Sequence, residues 1–363
     1  MTDILCTNCN RPYPDQGVPF RCAICGGLFD FSTLPAFNLR QVEPDQPSMW
    51  RYRQALCLPA AAPQVTLGEG NIPLIWREAF GRRVAFKLEY LNPSGSYKDR
   101  GSAVLVSFLS SRGVQSAVED SSGNAGASFA AYAARAGMRA RVFVPDYASG
   151  PKRLQIEAYG AEVVRILGPR SKATEAVLRA AQLGEVYASH AYMPFGLAGY
   201  ATITYELFEQ MGQAPGAVVA PVGQGNLLLA IGRGFAALYR AGLITQLPVL
   251  VGVQALACAP LWSVFRYGPA GLGWVTEGQT LAEGVRVKHP LRGDMLLKMV
   301  EGSRGQLVAV EEETILLGRD QLARLGFYVE PTSAIVWDGL AQTIEHLPDP
   351  IVVVLTGSGF KAP

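Results

Sequence analysis

The 363 residues carry 32 Lys plus Arg against 30 Asp plus Glu, a net charge of +2. There is no long basic stripe, so nucleic acid is not expected as a partner. With 49% hydrophobic and 17% charged residues the chain reads as globular rather than disordered, and it is long enough to enclose an organic ligand in its core. The first residues lack a charged n-region followed by an apolar run. The longest apolar stretches, such as Ile351 to Leu355, have the length of strands. A soluble cytoplasmic protein with no membrane partner is the expectation.

Four of the six cysteines fall as Cys6-x2-Cys9-x12-Cys22-x2-Cys25. Two such pairs on short turns can aim four thiolates at one point, the arrangement of a structural zinc. A pair of disulfides is disfavoured in a cytosolic chain. A redox Cys-x2-Cys would open a helix after a core strand, and neither pair does. Residues 1–32 therefore read as a zinc ribbon whose metal is closed off by protein ligands. Cys57 and Cys258 stand alone and read as small hydrophobes.

Pro35, Pro44 and Pro47 mark residues 33–64 as a linker, with a short helical stretch from Ser48 to Leu58. From residue 65 to 363 the pattern is strand, Gly-rich or polar loop, helix, repeated. Strands are predicted at Val84–Leu88, Ala117–Glu119, Arg141–Val144, Glu162–Ile166, Ala217–Ala220, Leu250–Gln254, Leu307–Val310 and Ile351–Leu355. Ala103–Leu109, Ser128–Ala136 and Leu228–Tyr239 have helical spacing. Continuously apolar strands alternating with helices imply an α/β fold with parallel sheets covered on both faces, and ligands collect at the C-terminal strand ends of such sheets.

Four loops fall at such ends. The first, Leu91-Asn-Pro-Ser-Gly-Ser-Tyr-Lys98-Asp-Arg-Gly101, places a lysine at the start of an apolar helix. A neutral amine there could form an imine with an aldehyde cofactor; an ordinary ion pair with Asp99 is the alternative. The second, Asp120-Ser-Ser-Gly-Asn124-Ala-Gly126, can present hydroxyls and backbone N–H groups to a carboxylate at a helix start. The third, Pro221-Val-Gly-Gln-Gly-Asn-Leu-Leu228, can converge N–H groups on a phosphate. The fourth is Leu355-Thr-Gly-Ser-Gly359. The second and fourth taken singly are also compatible with plain turns.

Together, in this order, LGEGNIPL, NPSGSYKDRG, SSGNAG, PVGQGN, EPTSAI and VLTGSGFK resemble the type II, tryptophan-synthase β-like family of pyridoxal 5′-phosphate (PLP) enzymes, and within it the threonine synthase branch. The resemblance runs from about Leu67 to Lys361. Some threonine-synthase-like proteins also carry a four-cysteine ribbon.

The resemblance implies a type II PLP fold of two subdomains, the smaller within about 98–200, behind the zinc ribbon. It implies Lys98 as the Schiff-base lysine and proton carrier, and Asn124 as the partner of the cofactor's O3′. Ser121, Ser122 and Gly123 would hold the α-carboxylate of a small amino-acid substrate. Gly223, Gln224, Gly225, Asn226 and Leu227 would cradle the phosphate, and Thr356 would face the pyridine nitrogen. A neutral hydroxyl there does not keep that nitrogen protonated as a carboxylate does, which favours elimination or replacement at the β or γ carbon over transamination. With three histidines in the chain and none in these loops, Lys98 is the expected base. A homodimer is expected.

Threonine synthases commonly carry Asn-Pro-x-Arg-x-Glu-Gly-x-Lys-Thr where this chain reads Met193 to Thr202. Gly196, Ala198 and Ala201 stand in place of Arg, Glu and Lys, and Ser358 stands where His is frequent. The expectation is either weak use of O-phosphohomoserine or a phosphate site rebuilt from other cations among Lys152, Arg153, Arg286, Lys288 and Arg292. The alternatives to threonine synthesis are a serine/threonine dehydratase, a diaminopropionate ammonia-lyase or a β-replacement synthase.

Overall fold

The computed structural model describes residues 4–147, 150–168 and 170–362. In chain order the strands are β1 (Ile4–Cys6), β2 (Phe29–Phe31), β3 (Leu74–Ala79), β4 (Arg82–Lys87), β5 (Ser116–Glu119), β6 (Arg139–Pro145), β7 (Glu162–Ile166), β8 (Val186–Tyr187), β9 (Ala217–Pro221), β10 (Val249–Ala255), β11 (Gln306–Val310) and β12 (Ile351–Val354). The α-helices are α1 (Lys98–Ser111), α2 (Asn124–Arg135), α3 (Pro151–Ala158), α4 (Arg170–Gln182) and α5 (Phe195–Met211). They continue with α6 (Asn226–Arg240), α7 (Pro260–Tyr267), α8 (Gly293–Gly302), α9 (Glu312–Arg324) and α10 (Pro331–Thr343). All eight strands expected from apolar runs form, with ends shifted by two residues or fewer.

Two compact units divide the chain, one of residues 1–71 and 92–200, the other of residues 72–91 and 201–363. The first unit holds a four-stranded parallel sheet in the order β7-β6-β5-β8. The β1–β2 hairpin carries the cysteine pairs. It packs onto the core of this unit: Tyr13 meets Phe29, Phe108 and Phe195 edge-on, at 4.8, 5.9 and 5.3 Å between ring centres. Phe20 stands 5.2 Å from both Tyr187 and Tyr192. Residues 33–64 also contribute to the core, with Leu34, Phe37, Met49, Trp50, Tyr52 and Leu56 buried. The stretch read as a short helix there winds as 3-10 turns over Met49–Ala55, with a break at Tyr52. Glu69, fully buried, accepts hydrogen bonds from Trp50 Nε1 (2.6 Å), Leu67 N (2.9 Å) and Tyr132 OH (2.6 Å), so its charge is satisfied inside the core.

The second unit holds a six-stranded sheet in the order β11-β10-β9-β12-β4-β3. Its pairs are parallel except for β3, which runs antiparallel to β4 at the edge. β9 and β12 lie side by side with Ile351 opposite Ala217 and Val353 opposite Val219. An ion pair is sealed into this unit. Lys87 Nζ, fully buried, donates to Glu206 Oε2 at 2.8 Å, to the Ile72 carbonyl at 2.7 Å and to Gln210 Oε1 at 3.0 Å. Ile72 N returns a bond to Glu206 at 3.2 Å.

Candidate active site

In the first unit, the C-terminal ends of β5 and β8 and the starts of α1 and α2 come together. Lys98 is the first residue of α1. Its Nζ lies 4.7 Å from the centre of the Tyr97 ring and 5.9 Å from that of Tyr200, the two rings being 5.1 Å apart. The faces of both rings attract a cation and confine the flexible lysine stem. Tyr200 belongs to α5, which lies against α1 so closely that a Cβ on Gly199 would be 2.1 Å from the Arg100 carbonyl oxygen. A Cβ on Gly101 would likewise be 2.5 Å from the Tyr200 ring. Burial holds the Tyr200 hydroxyl well above its ordinary range.

Asp99, the partner considered for Lys98 from sequence, directs its carboxylate to serines. Ser94 N donates to Oδ2 at 2.6 Å, and the Ser94 and Ser128 hydroxyls donate to Oδ1, the latter at 2.6 Å. Ser128 lies in α2, so this buried carboxylate ties the start of α1 to α2 and closes the Asn-Pro-Ser turn ahead of Lys98.

The segment Ser121–Gly123 leads from β5 into α2, whose N-cap is Gly123 and whose first residue is Asn124. Gly123 N donates to Ser121 Oγ at 3.2 Å. The turn folds back so tightly that a Cβ at Gly126 would stand 1.8 Å from the Ser121 carbonyl oxygen. The N-terminus of a twelve-residue helix opens beside the two serines, which suits a carboxylate. Asp120 holds the loop from behind, accepting from Tyr187 OH at 2.6 Å and Thr174 Oγ1 at 2.8 Å.

Two residues of this edge were not singled out from sequence. Glu119 ends β5, and His190 follows β8 by three positions. The parallel pairing of β5 with β8, continued by Ala188 N donating to the Val118 carbonyl at 2.8 Å, brings them side by side. Glu119 Oε1 lies 2.6 Å from His190 Nδ1. Burial first, and Asp120 second, raise the Glu119 carboxyl well above the usual carboxylate range. Burial first, and the charge of Lys98 second, push the His190 imidazole down to about 3. A carboxylate in the run Ser-Ala-Val-Glu, on the last position of an otherwise apolar strand, was the signal available in the sequence for Glu119. The place of His190 depends on a two-residue strand that leaves almost no pattern.

In the second unit, the 222–225 turn links β9 to α6 and Thr356 follows β12, so both lie at the same edge of neighbouring strands. Gly225 caps α6 with φ of +82°, a left-handed conformation that glycine adopts without strain. A Cβ at Gly223 would press within 2.8 Å of the Gly284 carbonyl oxygen. Gln224 Oε1 accepts from Leu291 N at 3.1 Å, while Asn226 and Leu227 begin α6 and are buried. The start of this fifteen-residue helix has the backbone polarity that suits a phosphate-sized anion. Thr356 N donates to Ser333 Oγ at 2.9 Å. The Thr356 hydroxyl is buried and has no hydrogen-bond partner among the described residues. An orphaned hydroxyl beside an anion cradle suits a cofactor that has both a phosphate and a ring nitrogen.

The segment where sequence comparison finds cations missing is apolar in the structure. Ala198 and Ala201 are fully buried, and a Cβ at Gly196 would be 3.4 Å from Gly101 Cα. Of the other cations considered, Arg153 pairs within its own helix with Glu157 at 3.4 Å, Arg286 donates to the Glu277 carbonyl at 3.2 Å, and Arg292 is buried ahead of α8.

In the β1–β2 hairpin the four Sγ atoms of Cys6, Cys9, Cys22 and Cys25 lie within 4.8 Å of one another. Cys6 to Cys25 is 3.4 Å, Cys9 to Cys25 3.5 Å and Cys9 to Cys22 3.8 Å. A zinc ion at about 2.3 Å from each sulfur of a tetrahedron spaces the sulfurs by roughly 3.8 Å. Backbone N–H groups of Cys25 and Ile24 lower the Cys22 thiol, favouring the thiolate.

The family model described as "Pyridoxal-phosphate dependent enzyme" matches residues 65–357. The chain is 31% identical to the threonine synthase of Methanocaldococcus jannaschii, over 99% of this chain and 92% of that one. It is 34% identical to the threonine synthase of Synechocystis, over 86% and 82% respectively. Among solved structures it is similar to a T.th. threonine deaminase, with a TM-score of 0.66 and 28% identity, covering 79% of this chain and 92% of that one. The fold also matches maize serine racemase, with a TM-score of 0.68 at 19% identity over 79% and 88%. The chain belongs to the pyridoxal-phosphate dependent enzyme family. Within that family it is a threonine-synthase-like lyase. Among the described residues no helix is long and apolar enough to cross a membrane.

Proposed function

We propose that this lyase converts O-phosphohomoserine and water to threonine and phosphate. The observation that carries this reading is the near-full-length similarity to threonine synthases. PLP, when bound, would supply an electron sink for the electrons left at the substrate's α-carbon. Lys98, held by the Tyr97 and Tyr200 rings, is the covalent anchor and takes and returns the α-proton. Asn124 would meet the cofactor's O3′. Ser121, Ser122 and Gly123 hold the substrate carboxylate with the N-terminus of α2. Gly223, Gln224, Gly225, Asn226 and Leu227 would hold the cofactor phosphate, and the unsatisfied Thr356 hydroxyl would face the ring nitrogen. Cys6, Cys9, Cys22 and Cys25 hold a structural zinc, supported by sulfur spacings close to those of a tetrahedron. The enzyme acts as a cytoplasmic homodimer.

A second reading, a dehydratase acting on serine or threonine, is favoured by the apolar start of α5. Where threonine synthases commonly present Arg and Lys, this chain presents Gly196 and buried Ala201. Two absent charge-assisted contacts at about 1.5–3 kcal/mol each remove roughly 3–6 kcal/mol of phosphate recognition, or about 10²–10⁴ in affinity. Steady-state kinetics with O-phosphohomoserine, serine and threonine, following phosphate and ammonia separately, decides. Phosphate release matched one-to-one by threonine supports the first reading. Ammonia from serine or threonine, with no phosphate from O-phosphohomoserine, replaces it with the second.

A further inference from the structure

We propose that Glu119 and His190 form a proton-carrying pair serving the step at which a hydroxyl is gained or lost at the substrate's β-carbon. The inference rests on the lyase reading but not on the choice between its two substrates, since adding water to the β-carbon and losing it are one step run in opposite directions. Three observations carry it.

The first is placement. Glu119 immediately precedes the Asp120–Gly123 loop, and His190 lies beside it at the same strand edge. Ser189 Oγ accepts from Ala191 N at 3.3 Å and from Tyr192 N at 3.2 Å, fixing the turn that presents the imidazole. The second is the contact itself, 2.6 Å between Glu119 Oε1 and His190 Nδ1, with the glutamate side chain 1% exposed and the histidine 17% exposed. The third is that Glu119 Oε2 is buried with no hydrogen-bond partner among the described residues. An ionised carboxylate would leave a charged oxygen unsatisfied there, whereas a carboxylic acid donating to Nδ1 would leave only a carbonyl. The pair therefore stores a proton, with its partly exposed member on the outside.

The charged and titratable groups around the pair are Asp120, Lys98 and Arg170 for both members, and Tyr187 and Tyr200, which feel Glu119. Of these, Asp120 is engaged by Tyr187 and Thr174. Lys98 is the group that takes the α-proton, so the second proton station stands within its field.

In the direction of loss, the C–O bond at the β-carbon breaks and its electron pair leaves with oxygen. His190 gives that oxygen a proton from its outer nitrogen while Nδ1 receives the Glu119 proton, and water departs. The α-proton held by Lys98 then replenishes the pair, so hydrogen and hydroxyl leave the substrate as one water, with no oxidant or reductant. In the direction of gain, water forms the C–O bond and its proton passes to His190, and Glu119 stores the displaced one.

The test is leaving-group dependence in Glu119→Gln and His190→Asn holoenzymes. Serine and threonine lose a hydroxyl and need a proton delivered; β-chloroalanine loses chloride and does not. General acid catalysis is worth about 10²–10⁴, so kcat on serine is expected to fall by that factor in both variants. On β-chloroalanine it is expected to fall by about fivefold or less. Parallel losses on both substrates, or no loss on either, overturn the proposal. β-Chloroalanine turnover by the wild type checks the lyase reading in the same assay. Where the wild type turns over only O-phosphohomoserine, kcat for threonine formation is expected to fall by the same factor in both variants. An unchanged kcat there overturns the proposal, and a wild type inactive on all four substrates overturns both. Independently of turnover, infrared spectra of the cofactor-free protein are expected to show a buried neutral carboxylic acid that disappears in Glu119→Gln. If the wild type lacks that band, the pair does not store a proton and the proposal falls.

Discussion

Replacing Gly199 by alanine perturbs the lysine without touching it. The added Cβ would lie 2.1 Å from the Arg100 carbonyl oxygen, 2.7 Å from the Arg100 carbonyl carbon and 3.0 Å from Val104 Cγ2. Backbone atoms cannot step aside as a side-chain end can, so α1 and α5 must part by about 1 Å before the contact becomes tolerable. Overpacking of this kind costs roughly 1–3 kcal/mol. Arg100 is two residues from Lys98 in the first turn of α1, so the displacement reaches the amine and the Tyr200 ring beside it. A misplacement of about 1 Å costs a reaction on the order of 10² in rate. Thermal unfolding, cofactor absorbance and steady-state kinetics on the Gly199→Ala protein are the assays. Gly302→Ala serves as the control, because nothing lies within 4 Å of a Cβ at that position. The expected result is a loss of about 10² in kcat with a Tm lower by a few degrees, the control being unchanged. Full activity and an unchanged Tm in Gly199→Ala would refute the reasoning that helix spacing positions Lys98.

Two further outcomes follow from the packing. Cys22→Ser is expected to release the metal from protein purified without chelator and to lower stability, read by metal analysis and thermal unfolding. Because Tyr13 and Phe20 anchor the hairpin on Phe108, Phe195 and Tyr187, the loss should reach the core of the first unit. Glu206→Ala is expected to cost about 3–5 kcal/mol in denaturant unfolding, since it strands the buried Lys87 charge. The double replacement Lys87→Met with Glu206→Leu should recover much of that loss, and a double variant as weak as the single one would contradict this account.

The α/β alternation was legible because strands buried on both faces, such as Ile351-Val-Val-Val, are apolar without interruption. β3 was not, because Leu-Ile-Trp-Arg-Glu-Ala mixes charge into an edge strand whose burial is partial. β8 has two residues and no periodicity to read. Loop chemistry was legible where a local turn demands it: glycine at 126 and at 225 is dictated within a few residues of chain. What depends on distant pairing was not. Lys98 beneath Tyr200, Glu119 against His190 and Tyr13 on Phe195 join residues 71 to 182 positions apart, and only the sheet register and the α1–α5 approach bring them together. The sequence has three histidines, none in the four loops, and His190 stands one strand away from the loop that it flanks.

The central claim, a PLP lyase anchored at Lys98, is tested most directly by locating the cofactor on the chain. Borohydride reduction of the holoenzyme fixes PLP to its lysine, and peptide mass mapping then identifies that residue. The expected result is a single modified peptide carrying the cofactor on Lys98, absent from Lys98→Ala, which should also lack the visible cofactor band and turnover. Cofactor fixed to another lysine, or turnover retained by purified Lys98→Ala, would contradict the account.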